Sequence, residues 1–196
     1  MPNWCSNTVI FKHTDRAELQ RLIDAYNSGD TMNTIWPCPC ELRDTVAGSL
    51  GKDTPEQAAL EQKHADNLAK YGAAHWYDWC VNNWGTKWDF GREKGRPPAE
   101  IKTDKNGEAY VELGFDTAWA PPLGFYAHLT EQGFSVKAYY FEGGVGFCGV
   151  WHDNVDDTID IREFTQEWIA DHVPAKICEV FNVYEEAAEM EENERT

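Results

Sequence analysis

The residues from His75 to Phe90, HWYDWCVNNWGTKWDF, constrain this chain more than any other stretch. Four of its nine tryptophans lie there: Trp76, Trp79, Trp84 and Trp88. Side chains this large and apolar must be packed together or against a sheet. Residues 76–83 read as about two helical turns, with Trp76, Trp79, Cys80 and Asn83 on one face at i, i+3, i+4 and i+7. Gly85 follows where a helix C-terminus takes a left-handed residue. Residues 86–90 then alternate as a short strand. The stretch is expected to form a helix-to-strand corner clamped by indoles. Two other segments have a similar character: MPNWCSN at residues 1–7 and FDTAWAPP at residues 115–122.

The rest of the chain supplies layers for this corner to pack on. Residues 4–12 read as a strand, rich in Thr, Val, Ile and Phe. Thr14 or Asp15 caps a helix with Leu19, Leu22, Ile23 and Tyr26 inward. Residues 31–53 read as irregular, since the prolines of Trp36-Pro-Cys-Pro-Cys40 push their predecessors into extended geometry. Thr54-Pro55 opens a mostly polar helix closed by Gly72. Residues 91–107 read as a loop or hairpin tip with a tight turn at Asn106-Gly107. Strands are expected over 109–117, 134–141 and 145–151, with a helix after Pro121-Pro122. A short strand is expected at 158–161, a helix at 162–172 and a further helically spaced segment after Pro174. An acidic tail, solvated or frayed, follows from Glu185. The order β-α-(insertion)-β-β-α-β with an extra strand is that of a split βαβ α+β sheet with two helices on one face.

Four of these segments carry a resemblance. MPNWCSN, WYDWCVNNWGTKWD, FDTAWAPP and FEGGVGFCGVW resemble the YubB-type ferredoxin-like domain family of phages and conjugative plasmids. The resemblance covers roughly residues 1–152, with a variable middle. The WYDWC…NWGTKWD block is the most specific, and all four occur in the expected order. The resemblance implies a ferredoxin-like antiparallel sheet and a mobile-element setting, and brings no established catalytic activity with it. The expected organisation is a ferredoxin-like domain over 1–152 with a helical insertion at about 30–84, and an acidic helical extension over 153–196 packed on it.

Charge narrows the function classes. The formal net charge is −17. From Glu142 to Thr196 there are fifteen acidic residues against three basic ones, which is −12 of the total. Direct binding to a nucleic-acid backbone is disfavoured, since each phosphate contact needs Lys or Arg. A host protein with a basic surface is the favoured partner. No leader is visible at Met1-Pro-Asn-Trp-Cys and no apolar run approaches a membrane span, so the expected location is the host cytoplasm. The six scattered cysteines read as reduced and mostly buried.

The residue types suggest four kinds of chemistry. Cys38-Pro-Cys40 has one residue between its thiols where zinc pairs usually have two, and a kinked loop is the plainer account. His152, Asp153, Asp156, Asp157 and Asp160 lack the spacing of a calcium loop and read as a solvated turn. Cys80, five residues from His75, and Cys5 are candidate nucleophiles, with packing beside indoles the alternative. GGVGFCG lacks the lysine of a phosphate loop. No catalytic residue, cofactor or metal is therefore assigned. The leading expectation is an anti-defence accessory protein, possible as a homodimer, that mimics nucleic acid through Asp153, Asp156, Asp157, Asp160, Glu163 and Glu167. The alternative is a nucleic-acid-binding module using Tyr139, Tyr140, Phe141, Trp88 and Trp151 with the basic loop 87–105.

Overall fold

A computed structural model describes residues 3–194. Met1 and Pro2 of the MPNWCSN segment, and Arg195 and Thr196 of the acidic tail, lie outside the described residues. The chain forms six strands and nine helices among the described residues, an α+β fold. The strands are β1 (Trp4–Lys12), β2 (Lys102–Thr103), β3 (Ala109–Ala118), β4 (Ser135–Glu142), β5 (Phe147–His152) and β6 (Val155–Asp160). The helices are α1 (Arg16–Ser28), α2 (Thr31–Ile35), α3 (Cys40–Arg43), α4 (Pro55–Tyr71), α5 (Trp76–Asn83), α6 (Leu123–Glu131), α7 (Gln166–His172), α8 (Ala175–Phe181) and α9 (Val183–Glu194).

All strands share one antiparallel sheet in the order β2-β3-β1-β4-β5-β6. β1 lies between β3 and β4, so the β3-α6-β4 crossover splits around it. The two-residue β2 stands parallel to β1 with β3 between them.

Alternation along the strands separates two faces. Val9 and Phe11 on β1, Val111, Leu113 and Phe115 on β3, and Val136 and Ala138 on β4 are buried on the first. Against them pack Leu19, Leu22 and Ile23 of α1, and Phe125, Tyr126 and Leu129 of α6. The α1 face is as the spacing implied, and Asp15 caps it by accepting the Ala17 N–H at 2.8 Å.

On the second face, Phe141 and Cys148 are covered by Ile169, Val173, Ile177, Val183 and Ala187 of the C-terminal helices and their linkers. These helices thus have a separate apolar cluster on the sheet.

Several expectations change. The run 86–90 is not a strand. Its side chains make the bonds instead: Thr86 Oγ1 donates to the Ala118 carbonyl, and the Asp89 carboxylate accepts from the Met32 and Asn33 N–H groups, each at 2.7 Å. Phe90 stacks on Phe115 at 3.5 Å between centroids. Region 31–53 is not wholly irregular, for α2 and α3 flank the Trp36–Pro39 kink. The acidic tail is the helix α9, held by buried Val183 and Ala187. The extension expected from residue 153 begins inside the sheet, because Val155–Asp160 pairs along β5 as its outermost strand. α7 starts at Gln166, where Thr165 accepts the Trp168 N–H.

Candidate functional site

The indole corner divides into a buried half and an open half. Trp79 and Trp84 are buried and meet edge to face at 5.5 Å, with Trp36 against Trp79 at 5.7 Å. Trp84 Nε1 donates to the Trp36 carbonyl at 3.0 Å, tying the helix end to the Pro37–Pro39 kink. Trp76 is half-buried and packs against the same core. Gly85 has φ +91°, as expected past a helix end, and a Cβ there would lie 3.0 Å from the Leu123 nitrogen.

Trp88 turns the other way and is 39% exposed. It meets Trp4 of β1 at 6.1 Å, and Lys87 Nζ sits 4.5 Å from its ring centre. The same ammonium lies 5.1 Å from Trp119 and 5.6 Å from Tyr77. Trp119 follows β3 with φ +69°, and its N–H donates to the Asn3 carbonyl. Three of the four stretches quoted for the family resemblance, with part of the MPNWCSN segment among them, thus meet at one place. Each tryptophan is visible in the sequence, but nothing in the spacing shows that Trp4, Trp88 and Trp119 converge or that they face solvent.

Two clefts flank Lys87. One, of about 520 Å³, is bordered by His64, His75, Tyr77, Asp78 and Trp119. The other, of about 300 Å³, is bordered by Asn33, Arg43, Trp88 and Asp89. Burial pushes Asp89 up to about 7 despite its three backbone N–H donors, and a shared hydrogen bond with the Asp30 carboxyl adds to the rise. A larger hollow of about 730 Å³ opens at the far end of the sheet beside Lys12, His13, Arg16 and Lys137. Its Lys12 is already clamped by Asp104 and Glu108, each at 2.7 Å.

The acidic residues fall into two groups. All six are exposed. Asp153 begins the β5–β6 turn with φ +45° and accepts the Val136 N–H at 2.9 Å. Asp156 accepts from Tyr140 and Thr158 hydroxyls at 2.6 and 2.9 Å. These two carboxylates hold the hairpin together. Asp157, Asp160, Glu163 and Glu167 have no side-chain partner among the described residues. Alternation puts Asp156 and Asp160 on one face of β6 and Asp157 on the other, so the acidic surface wraps an edge strand.

The sheet aromatics do not form an open stacking face. Tyr140, Phe141 and Trp151 are buried, and Tyr139 is half-buried beneath the C-terminal helices. In the basic loop Arg96 pairs with Glu93 and Lys102 with Glu112, while Lys87, Arg92, Lys94 and Lys105 make no ion pair among the described residues. The thiols considered as nucleophiles are protonated at neutral pH. Burial pushes Cys80 up to about 12, and Cys5 further. A thiol held in that form is a poor nucleophile. Cys38 is buried and Cys40 exposed, so the pair does not face one space. Among the described residues no group of three or more His, Cys, Asp or Glu is placed to hold a metal ion. No helix there is long and apolar enough to cross a membrane.

No family model matches the chain. It is 24% identical over 94 residues to the uncharacterized protein YubB of Escherichia coli K12, covering 47% of this chain and 60% of that one. The match thus spans less than two thirds of the relative. The crystal structure of protein api92 from Yersinia pseudotuberculosis, of the DUF1281 family, is 10% identical with a TM-score of 0.40. That superposition covers 83% of this chain and 99% of the other.

Proposed function

We propose that this chain is a binding protein rather than an enzyme, and that its acidic edge docks a protein with a basic, nucleic-acid-handling surface. The setting we assign is that implied by the family resemblance: an accessory protein of a phage or plasmid, working in the host cytoplasm against a defence system. The scaffold we assign is a ferredoxin-like sheet extended by the β5–β6 hairpin and three C-terminal helices. One observation carries this reading. The unpartnered carboxylates Asp157 and Asp160 stand on the edge strand, Glu163 on the segment leading into α7, and Glu167 in the first turn of that anchored helix. Carboxylates fixed in place can present a charge pattern to Lys and Arg in a groove, with little ordering entropy to lose. A charged edge strand also blocks sheet-to-sheet aggregation, so the two roles must be separated by experiment.

The test is a quadruple reversal, Asp157→Lys, Asp160→Lys, Glu163→Lys and Glu167→Lys, with Asp153 and Asp156 left in place. Wild-type and variant proteins are used as bait for host lysate at about 0.1 M and 1 M salt. A basic nucleic-acid-handling protein should be retained by wild type at low salt, released at high salt and lost from the variant. Retention of the same protein by a folded quadruple variant would rule the acidic edge out. By contrast, Asp156→Ala alone should leave capture intact but cost about 1 kcal/mol of stability in urea unfolding, because it removes the carboxylate that accepts from the Tyr140 hydroxyl and leaves that group only Thr158.

A further inference from the structure

The geometry points to a second binding site, separate from the acidic edge: an indole platform around Lys87 that takes a nucleobase joined to a phosphate. Trp4, Trp88 and Trp119 are 50%, 39% and 42% exposed, although the chain buries most of its other large rings. Trp119 is held at φ +69°, a costly conformation for a bulky residue and one that gathers at functional sites. Thr86 and Thr117 hydroxyls, bonded to the Ala118 and Ala120 carbonyls, fix the turn that keeps it there.

The occupant follows from what the platform already contains. A ring of aromatics usually recognises a cation. Here that place is filled by the chain's own Lys87, against Tyr77, Trp88 and Trp119. A second cation would be repelled. Lys87 makes no ion pair among the described residues, in a protein with 34 acidic side chains. The rings are its direct partners, while Asp78 and Asp89 border the two clefts without pairing to it, and an anion is the complementary ligand. A simple anion would leave the exposed indoles unused, and a neutral sugar would leave the ammonium unused. A base stacked on an indole with its phosphate at Lys87 uses both. The clefts of about 520 and 300 Å³ on either side of Lys87 are within the size range of ligand sites. One cation gives one phosphate contact, so recognition is of a nucleotide or a strand end, not of a long backbone.

Two probes separate those sources: adenosine monophosphate by titration calorimetry, and a 5′-phosphorylated thymidine hexamer with a 3′ dye by fluorescence anisotropy. Equal binding of both identifies a free nucleotide as sufficient. Binding of the hexamer alone identifies a strand end. In either case Trp88→Ala should weaken binding by about five- to 150-fold, the range of one base-on-ring contact. Lys87→Met, which keeps the stem but removes the charge, should weaken binding of either probe and flatten the salt dependence of hexamer binding by about 0.7 in log–log slope. Trp4→Ala and Lys87→Met carry the test if Trp88→Ala does not fold. The proposal is overturned if neither probe binds at millimolar concentration, or if binding is unchanged in Trp88→Ala and Lys87→Met proteins that melt like wild type.

Discussion

Gly124→Ala is expected to destabilise the protein by about 3 kcal/mol or more, or to prevent folding. Gly124 is the second residue of α6, and it lies directly against the end of α5. A Cβ at this position would run into the Asn83 carbonyl oxygen and press on the Trp84 carbonyl carbon. Neither is a side-chain tip that can swing aside. Both are backbone, and the same seam is locked by the Phe125 N–H donating to the Trp84 carbonyl at 3.2 Å. Gly85 reinforces the seam from the other side, with its positive φ and its close approach to the Leu123 and Gly124 nitrogens. The two helices therefore meet end to end at backbone contact distance, which only glycine permits. Gly48→Ala is the control, since a Cβ there meets nothing within 4 Å and the backbone is not left-handed. It should change stability by about 0.5 kcal/mol or less. Urea unfolding midpoints of the two variants decide the matter. A wild-type midpoint for Gly124→Ala would mean that α5 and α6 do not touch, and the indole corner would lose its support.

How far this fold could be read beforehand depended on where the physics was local. β1, β3, β4 and β5 carry alternating apolar residues, and α1 and α4 carry their own caps and terminal glycines, so each was legible as an element. β6 was expected only in part, because Val-Asp-Asp-Thr-Ile-Asp has little intrinsic strand preference. Its pairing to β5 comes from the tight Asp153-Asn154 turn, where both residues have positive φ. α9 read as a solvated tail because Val183 and Ala187 are its main anchors, and their partners lie on other elements. Residues 86–90 misled for the opposite reason. Their alternation was real, but Thr86 and Asp89 take their partners from the β3 end and the start of α2, so no strand ladder forms. The same limit applies to the sites. That Tyr140 and Trp151 are buried while Trp88 and Trp119 are open is decided by which face the C-terminal helices and α6 cover, and no spacing rule contains that.

The second large effect is a pH dependence centred on Asp89. Burial beneath the indole corner pushes its carboxyl up to about 7, against about 3.9 in an unfolded chain. The folded state thus binds a proton that the unfolded state has released across that interval. Stability from this group is fully present below about pH 4 and is lost as pH rises toward 7, because there the native protein holds more protons than the unfolded one. The size is on the order of 2–4 kcal/mol. The general repulsion of a −17 chain also grows with pH, so the slope of wild type alone does not isolate Asp89. Asp89→Asn does, since it removes the titration; its single amide oxygen serves only one of the Met32 and Asn33 N–H groups, and that lost bond lowers stability equally at every pH. Urea midpoints of both proteins between about pH 4 and 8 should diverge, with wild type losing stability more steeply than the variant. Parallel curves would mean that Asp89 is ionised throughout and that the floor of the corner is wet. If the curves diverge, the proton on Asp89 is part of what holds α2 under the Lys87–Trp88 segment. Local opening of the indole platform should then become easier above neutral pH than below it, and hydrogen exchange at the Met32 and Asn33 amides would report it first.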